Sequence, residues 1–299
     1  MEYILKTEGL TKIYSKIKVV DNVDMQINKG DIYGFVGKNG AGKTTFIRMV
    51  LGLARISGGS ISMFDGENLK KARRKTGSLV ESPAFYPNMT AKENIRIFCR
   101  MIGEDEKQAD SILEKVGLSD TGKKKAGNFS LGMKQRLGIG LALVGNPEFL
   151  ILDEPINGLD PTGIAEVRKL ILSLKNEQGK TILISSHLIS ELEKIATRYG
   201  IIAKGKIVEE ISAQELEEKC GNRLSMKTSD PEKAVDTIKA LLNTEKVEKG
   251  ENGLIYISEK TDDIGRITNE LFKNNITVQA VSSADNTIES YFIERMEGK

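Results

Sequence analysis

"DIYGFVGKNGAGKTTFIRMVLGL", residues 31–53, decides how the rest of the chain is read. An apolar, β-like run ends in a glycine-rich turn, and the turn opens into apolar residues at helical spacing. Its centre, "GKNGAGKTT" at 37–45, satisfies G-x-x-x-x-G-K-[ST] in the strand–loop–helix setting that the pattern requires. Gly37, Gly40 and Gly42 let backbone N–H groups wrap an anion with no Cβ in the way. Lys43 can then reach the β- and γ-phosphates of a nucleotide, Thr44 can ligate Mg²⁺, and Thr45 and Asn39 border the same cradle.

Working outward, a β/α rhythm surrounds this loop. "YILKTEGL" (3–10), "NVDMQIN" (22–28) and "GGSISMFDG" (58–66) read as strands between turns. From 90 the texture turns helical. Thr90 with Glu93 forms a capping box for a helix that stops at Gly103, and "DEKQADSILEKVGL" gives another that stops at Gly117. The rhythm resumes with "FLIL" (149–152), a helix over 163–178, "TILISS" (181–186) and a helix over 189–198. Short apolar runs separated by helices predict a parallel sheet covered on both faces. After a helix capped by Ser212 and ended at Gly221, the pattern changes to strand, helix, strand, strand, helix, strand. That predicts a small α+β domain of split-βαβ type over 222–299, following a first domain at 1–221.

"FLILDEP" (149–155) ends an apolar strand in two acids, at the carboxyl edge of the sheet where doubly wound folds bind ligands. Asp153 is placed to hold Mg²⁺, and Glu154 to take a proton from an attacking water. His187, the one histidine in the chain, follows "TILISS" and therefore stands on the same edge. It can bond a γ-phosphate and keep water and Glu154 in line. In "NFSLGMKQRLGIG" (128–140), Ser130 caps a helix whose first N–H groups have no internal partner. Gly132 keeps the approach clear, and Lys134 and Arg136 add positive charge. This is an anion site without chemistry of its own.

Composition limits the possibilities. The 299 residues are 29% charged and 39% hydrophobic, the profile of a folded globular chain. A net charge of +2 does not indicate a nucleic-acid surface, and the densest basic run, "KKARRK" at 70–75, reads as a solvated loop or helix face. Cys99 and Cys220 sit in no ligand-spaced motif and read as free buried thiols of a reducing cytosol. The N-terminal stretch is interrupted by Glu2, Lys6 and Glu8, unlike a signal peptide, and no apolar run approaches the ~20 residues that span a bilayer. Any membrane role must come through a partner.

In this order the motifs resemble the nucleotide-binding subunits of ABC transporters. The phosphate loop, "FSLGMKQR" as signature, "LDEP", "NGLD" (157–160) as D-loop and "SSH" as H-loop all match, over about residues 1–215. The resemblance implies a P-loop ATPase domain with a mixed sheet core, an antiparallel β subdomain and a helical subdomain. It also implies a homodimer in which Ser130 and Gly132 complete the ATP site built on the partner's phosphate loop, with Asp160 and Asn39 at the interface. Tyr14, in "LTKIYSKIKVV", matches the aromatic that stacks on adenine. The same likeness implies a membrane permease as partner, no nucleic acid, and a cytoplasmic protein held peripherally at the inner membrane face.

Departures from the family pattern narrow it. Phe129, Leu131 and Met133 replace three of five residues of the usual Leu-Ser-Gly-Gly-Gln signature. The loop that usually carries glutamine reads "LVESPAFYP", with Glu81 in that place. A carboxylate there can still ligate Mg²⁺ or orient water, but it brings negative charge beside phosphates and asks for nearby cations. Glu81 and its flanks are similar to the ATPases of exporters for bacitracin-like and lantibiotic peptides, and the C-terminal domain resembles those of drug- and peptide-exporting subunits. The leading expectation is an ATP-driven motor of such an exporter. A soluble ABC ATPase acting on a macromolecular assembly, and a nucleotide-binding regulator without turnover, are the alternatives. The absence of twin cassettes, a long coiled coil and a basic surface weighs against the first, and Glu154 and His187 weigh against the second.

Overall fold

Two twelve-residue strands, β1 (Tyr3–Tyr14) and β2 (Ile17–Asn28), form an antiparallel hairpin whose turn residues Ser15 and Lys16 take positive φ. The computed structural model describes residues 2–220, 223–250, 253–257, 263–284 and 288–297. β3 (Ile32–Val36), buried along its whole length, leads through the glycine loop into α1 (Lys43–Val50). β4 (Gly58–Met63) pairs with β1 to complete a three-stranded antiparallel sheet in the order β2-β1-β4. α2 (Leu69–Arg74), β5 (Thr76–Leu79), α3 (Ala91–Ile102), α4 (Gln108–Lys115), α5 (Leu131–Ala142) and β6 (Phe149–Asp153) follow. Then come α6 (Pro161–Asn176), β7 (Thr181–Ser186), α7 (Ile189–Leu192), β8 (Arg198–Ala203) and β9 (Lys206–Ser212).

The central sheet runs β5-β6-β7-β3-β8-β9, parallel from β5 to β8 and antiparallel at β9. β6 and β7 read as unbroken apolar runs because helices shield both faces of a sheet of this kind. One core joins this sheet to the antiparallel one: the Phe35 and Phe46 rings meet at a tilt of 59° with centroids 5.2 Å apart, among Val20, Met25, Ile47 and Leu183. The mixed α/β sheet, the separate antiparallel sheet and the cluster of helices α3–α5 are the P-loop ATPase architecture expected from the motifs.

The chain separates into two compact units, Met1–Ala213 together with the end of the chain from Arg295, and Gln214–Glu294. The second contains α8 (Ala213–Cys220) beyond its first residue, β10 (Arg223–Thr228), α9 (Pro231–Leu242), β11 (Val247–Lys249), β12 (Leu254–Ile257), α10 (Ile264–Lys273), β13 (Val278–Ala284) and most of α11 (Ile288–Glu297). Its sheet order is β11-β12-β10-β13 with every pairing antiparallel. β10 and β11 therefore run the same way with β12 between them, which is the split βαβ arrangement. Ile238 and Leu242 of α9 and Ile267 and Leu271 of α10 pack with Met226, Ile255 and Ile257 of the strands.

Some local expectations are corrected. The helix foreseen over 189–198 stops at Leu192, because Thr197 N–H donates to the Ile32 carbonyl and the chain enters β8 at Arg198. "KKARRK" falls mostly on α2, and Arg73 is not a solvated charge: its Nε donates to the Val50 carbonyl at 2.9 Å, closing the end of α1. Cys99 is buried, but Cys220 is only half-buried; neither is in a disulfide. No helix among the described residues is long and apolar enough to cross a membrane.

Candidate functional site

The carboxyl ends of adjacent strands β6, β7 and β3 converge on one point. At β3 the chain turns through Gly37–Gly42, and Gly42 takes φ 110° as the residue before α1. A Cβ at Gly42 would lie 2.7 Å from the Val19 carbonyl oxygen, so only glycine closes the loop against β2. The first N–H groups of α1 have no helical partner and point out of its N-terminus, where the helix dipole favours an anion. Lys43 folds back across the loop: it is 6% exposed, and its Nζ donates to the Gly37 carbonyl at 2.6 Å. Thr44 and Thr45 are half-buried behind it, while Asn39 and Gly40 are exposed at the rim.

β6 delivers the two acids into different surroundings. Asp153 is 1% exposed; its Oδ1 accepts from Ser185 Oγ at 2.5 Å, while Oδ2 has no hydrogen-bond partner. A buried carboxylate oxygen without a partner is costly unless a cation or its water completes it, so the donor set fits Mg²⁺. Glu154 breaks out of the strand with φ 49°, a left-handed conformation that a non-glycine residue holds only under constraint. Its N–H donates to Ser185 Oγ at 2.9 Å, fixing that constraint. Glu154 Oε1 then lies 3.2 Å from Lys43 Nζ, and Oε2 lies 2.9 Å from His187 Nδ1. Lys43, Glu154 and His187, read from three separate motifs, are thus one connected cluster beside Asp153.

Other expected residues lie around it. Glu81 stands two residues beyond β5, with φ 58°, and its Oε1 pairs with Arg48 Nη2 at 2.8 Å. The segment after it is pinned by Asn94, which accepts from Tyr86 N–H at 2.6 Å and donates to the Tyr86 carbonyl at 3.1 Å. Tyr86 itself is exposed. Tyr14 is 46% exposed at the end of β1, with the Lys12 ammonium 4.6 Å from its ring centre. It pairs with Ile17, two residues before the Val19 that abuts Gly42, so the hairpin end and the phosphate loop share a flank.

Ser130 is the N-cap of α5, its Oγ accepting from Met133 N–H at 3.3 Å. The altered signature sorts itself by burial: Phe129 is buried in the fold, whereas Leu131 is 48% exposed. Asp160 caps α6 and accepts from Gly163 N–H at 3.2 Å. The D-loop and signature adjoin, since a Cβ at Gly132 would lie 3.9 Å from Leu159 Cδ2. Among the described residues no hydrogen bond or ion pair joins Ser130 or Gly132 to Gly37–Thr45. Arg136 also has a structural part that the sequence did not show: its Nη1 donates to the Gly117 carbonyl at 2.9 Å and its Nη2 meets Glu166 at 3.3 Å, so it ties helices together. Ser185, which bonds both Asp153 and Glu154, and Arg48, which pairs with Glu81, are contacts of the candidate site that the sequence did not reveal.

Comparison with known proteins agrees with this geometry. The profile described as ABC transporter matches residues 20–157. The chain is 45% identical to the bacitracin transport ATP-binding protein BcrA of Bacillus licheniformis, across 100% of this chain and 99% of that one. It is 44% identical to the lantibiotic transport ATP-binding protein SrtF of Streptococcus pyogenes, across 74% of this chain and 97% of that one. Among solved structures it resembles cbiO1 of Clostridium perfringens, part of the ABC transporter complex cbiONQ, with TM-score 0.65, 27% identity, and coverage of 72% of this chain and 91% of that chain. Nucleotide cradle, acids at the strand ends and whole-length likeness lead to one statement: the chain belongs to the ABC transporter family, as an ATP-binding and ATP-hydrolysing subunit.

Proposed function

We propose that this subunit is the motor of an exporter that expels a peptide antibiotic of the bacitracin or lantibiotic kind, acting on a separate membrane permease from the inner face of the cell membrane. The observation that carries the catalytic part is the Glu154 carboxylate held between Lys43 and His187 at the sheet edge. The exporter part is supported by the whole-length likeness to a bacitracin transport ATP-binding protein.

In this reading the α1 N-terminus and Lys43 grip the β- and γ-phosphates, while Tyr14 stacks on adenine. Thr44, Asp153 and Glu81 are the residues that would hold Mg²⁺, which when bound would supply positive charge against the phosphates. Glu154 draws the proton from the attacking water, and His187 holds Glu154 and the γ-phosphate in register. Two copies close head-to-tail, so that Ser130, Gly132 and Asp160 of one chain complete the site on the other, with Asn39 at the seam. Two features favour an intermolecular site: the α5 mouth is exposed, and it has no bond to its own phosphate loop. The exposed segment from Glu81 to Tyr86 couples the nucleotide to the permease. The unit after residue 213 has no cluster of metal-ligating side chains among its described residues and serves dimer stability.

The deciding experiment co-expresses the chain with candidate permeases and asks which polypeptide it retains on purification, and whether that pair confers bacitracin or lantibiotic resistance that Glu154→Gln abolishes. Recovery with ribosomes or DNA and no hydrophobic polypeptide would overturn the transport role.

A further inference from the structure

The P-loop helix carries two cations, and each faces a carboxylate at the end of a sheet strand. Lys43, its first residue, meets Glu154 beyond β6; Arg48, five residues later, meets Glu81 beyond the neighbouring strand β5. Five residues of helix separate their Cα atoms by about 7.5 Å along the axis. The helix therefore spans the two strand ends. Arg48 is fixed at its root, because the last turn of α1 is tied down by Arg73 at the Val50 and Met49 carbonyls.

Glu81 is a third carboxylate on the edge that already holds Asp153 and Glu154, and that edge must accept a polyphosphate. Left alone it would repel the incoming anion. We infer that Arg48 is a positioning residue that neutralises Glu81 and holds its carboxylate on the α1 side of the site, making it compatible with bound nucleotide. The Arg48–Glu81 pair, at 2.8 Å, presents no net charge to the phosphates. The backbone prepares the arrangement: Glu81 holds φ 58°, and the next residue's N–H donates back to the Val80 carbonyl at 2.8 Å, a tight turn that directs the side chain out of the strand. Both side chains are about half exposed, 43% and 57%, so the pair is screened, adds little to stability, and can open when Glu81 is needed elsewhere. The inference rests on the reading that Glu81 faces the nucleotide.

The test is a four-protein cycle in the full-length chain: wild type, Arg48→Gln, Glu81→Gln and the double variant, with Arg48→Lys as the conservative exchange. ATP affinity is measured by displacement of a fluorescent ATP analogue, both in EDTA and with Mg²⁺, and thermal unfolding confirms the fold. Arg48→Gln is expected to weaken ATP binding roughly two- to fivefold, the range of an exposed charge pair. In the Glu81→Gln background the same change is expected to have no effect, and Arg48→Lys to retain wild-type affinity. Equal weakening in both backgrounds would mean that Arg48 acts on phosphate or fold directly, and no weakening in either would mean that the pair is idle; each overturns the inference. Loss of all nucleotide binding in Glu81→Gln alone would instead remove the reading of Glu81 beneath it.

Discussion

The Glu154 carboxylate meets the His187 ring at 2.9 Å, Oε2 to Nδ1, across the ends of two adjacent parallel strands. The register that pairs Asp153 with Ser185 brings them together, since each lies one or two residues past that pair. Replacing Glu154 by Gln keeps the shape and removes the proposed base. Phosphate release is expected to fall by about 10²–10⁴-fold with ATP affinity nearly unchanged. Equal rates for the two proteins would place the base elsewhere.

His187 holds one oxygen of that carboxylate while Lys43 approaches the other. His187→Ala frees Glu154 on one side without touching the phosphate cradle. Turnover should drop by about two orders of magnitude, and the KM for ATP should move little. A loss seen in KM alone would assign His187 to ground-state binding.

The exposed Ser130 cap and the enclosed Lys43 belong to different halves of an intermolecular site in the proposed dimer. A mixture of Lys43→Ala and Ser130→Ala chains then contains hybrid dimers in which one site carries both lesions and the other carries none. ATPase activity of the mixture should rise well above either variant alone. A mixture as inactive as its components would contradict the head-to-tail arrangement.

Gly42 and Gly40 both hold left-handed φ, 110° and 79°, but a Cβ at Gly42 would reach within 2.7 Å of the Val19 carbonyl and one at Gly40 would meet nothing within 4 Å. Gly42→Ala is therefore expected to cost about 1–3 kcal/mol, and Gly40→Ala clearly less. Urea denaturation of the two variants measures the difference; equal losses would mean that the loop shifts freely away from β2.

Glu210 on the edge strand β9 is partly buried and accepts from the Tyr33 hydroxyl at 2.5 Å. Burial pushes its carboxyl above the ordinary value near 4.5, against the downward pull of the Tyr33 hydroxyl, the Gln26 N–H and Arg198. Between the ordinary and the raised value the folded state keeps a proton that the unfolded chain has lost, so this group's contribution to stability falls as pH rises. Glu210→Gln has no such loss. The stability of wild type relative to that variant should shrink as pH is raised from about 4.5. A difference that stayed flat or grew would reverse the assignment.

Much of the candidate site could be read from the sequence because its residues sit in motifs with fixed backbone contexts. Lys43 follows a glycine turn, Asp153 and Glu154 end an apolar strand, and His187 ends another. The missed pieces lacked such context. β5 is four residues, "TGSL", with no apolar alternation; its Gly77 serves the close approach of α5, where a Cβ would overlap the Ala142 carbonyl at 1.9 Å. β8 was hidden because the helix-favouring "ELEKIATR" runs into it, although "YGIIA" is a short apolar run bounded by a glycine turn. α11 went unread despite Ile288, Tyr291 and Phe292 at helical spacing. Arg48 gave no signal at all. A lone arginine on a helix reads as solvated until the fold brings Glu81 beside it.

The chain has a single histidine, and the fold places it against Glu154. Every imidazole resonance in a spectrum of this protein therefore originates at the active edge of the sheet. If Glu154 and His187 form the hydrolytic site proposed above, the signals of this one imidazole report on nucleotide binding without interference from any other histidine.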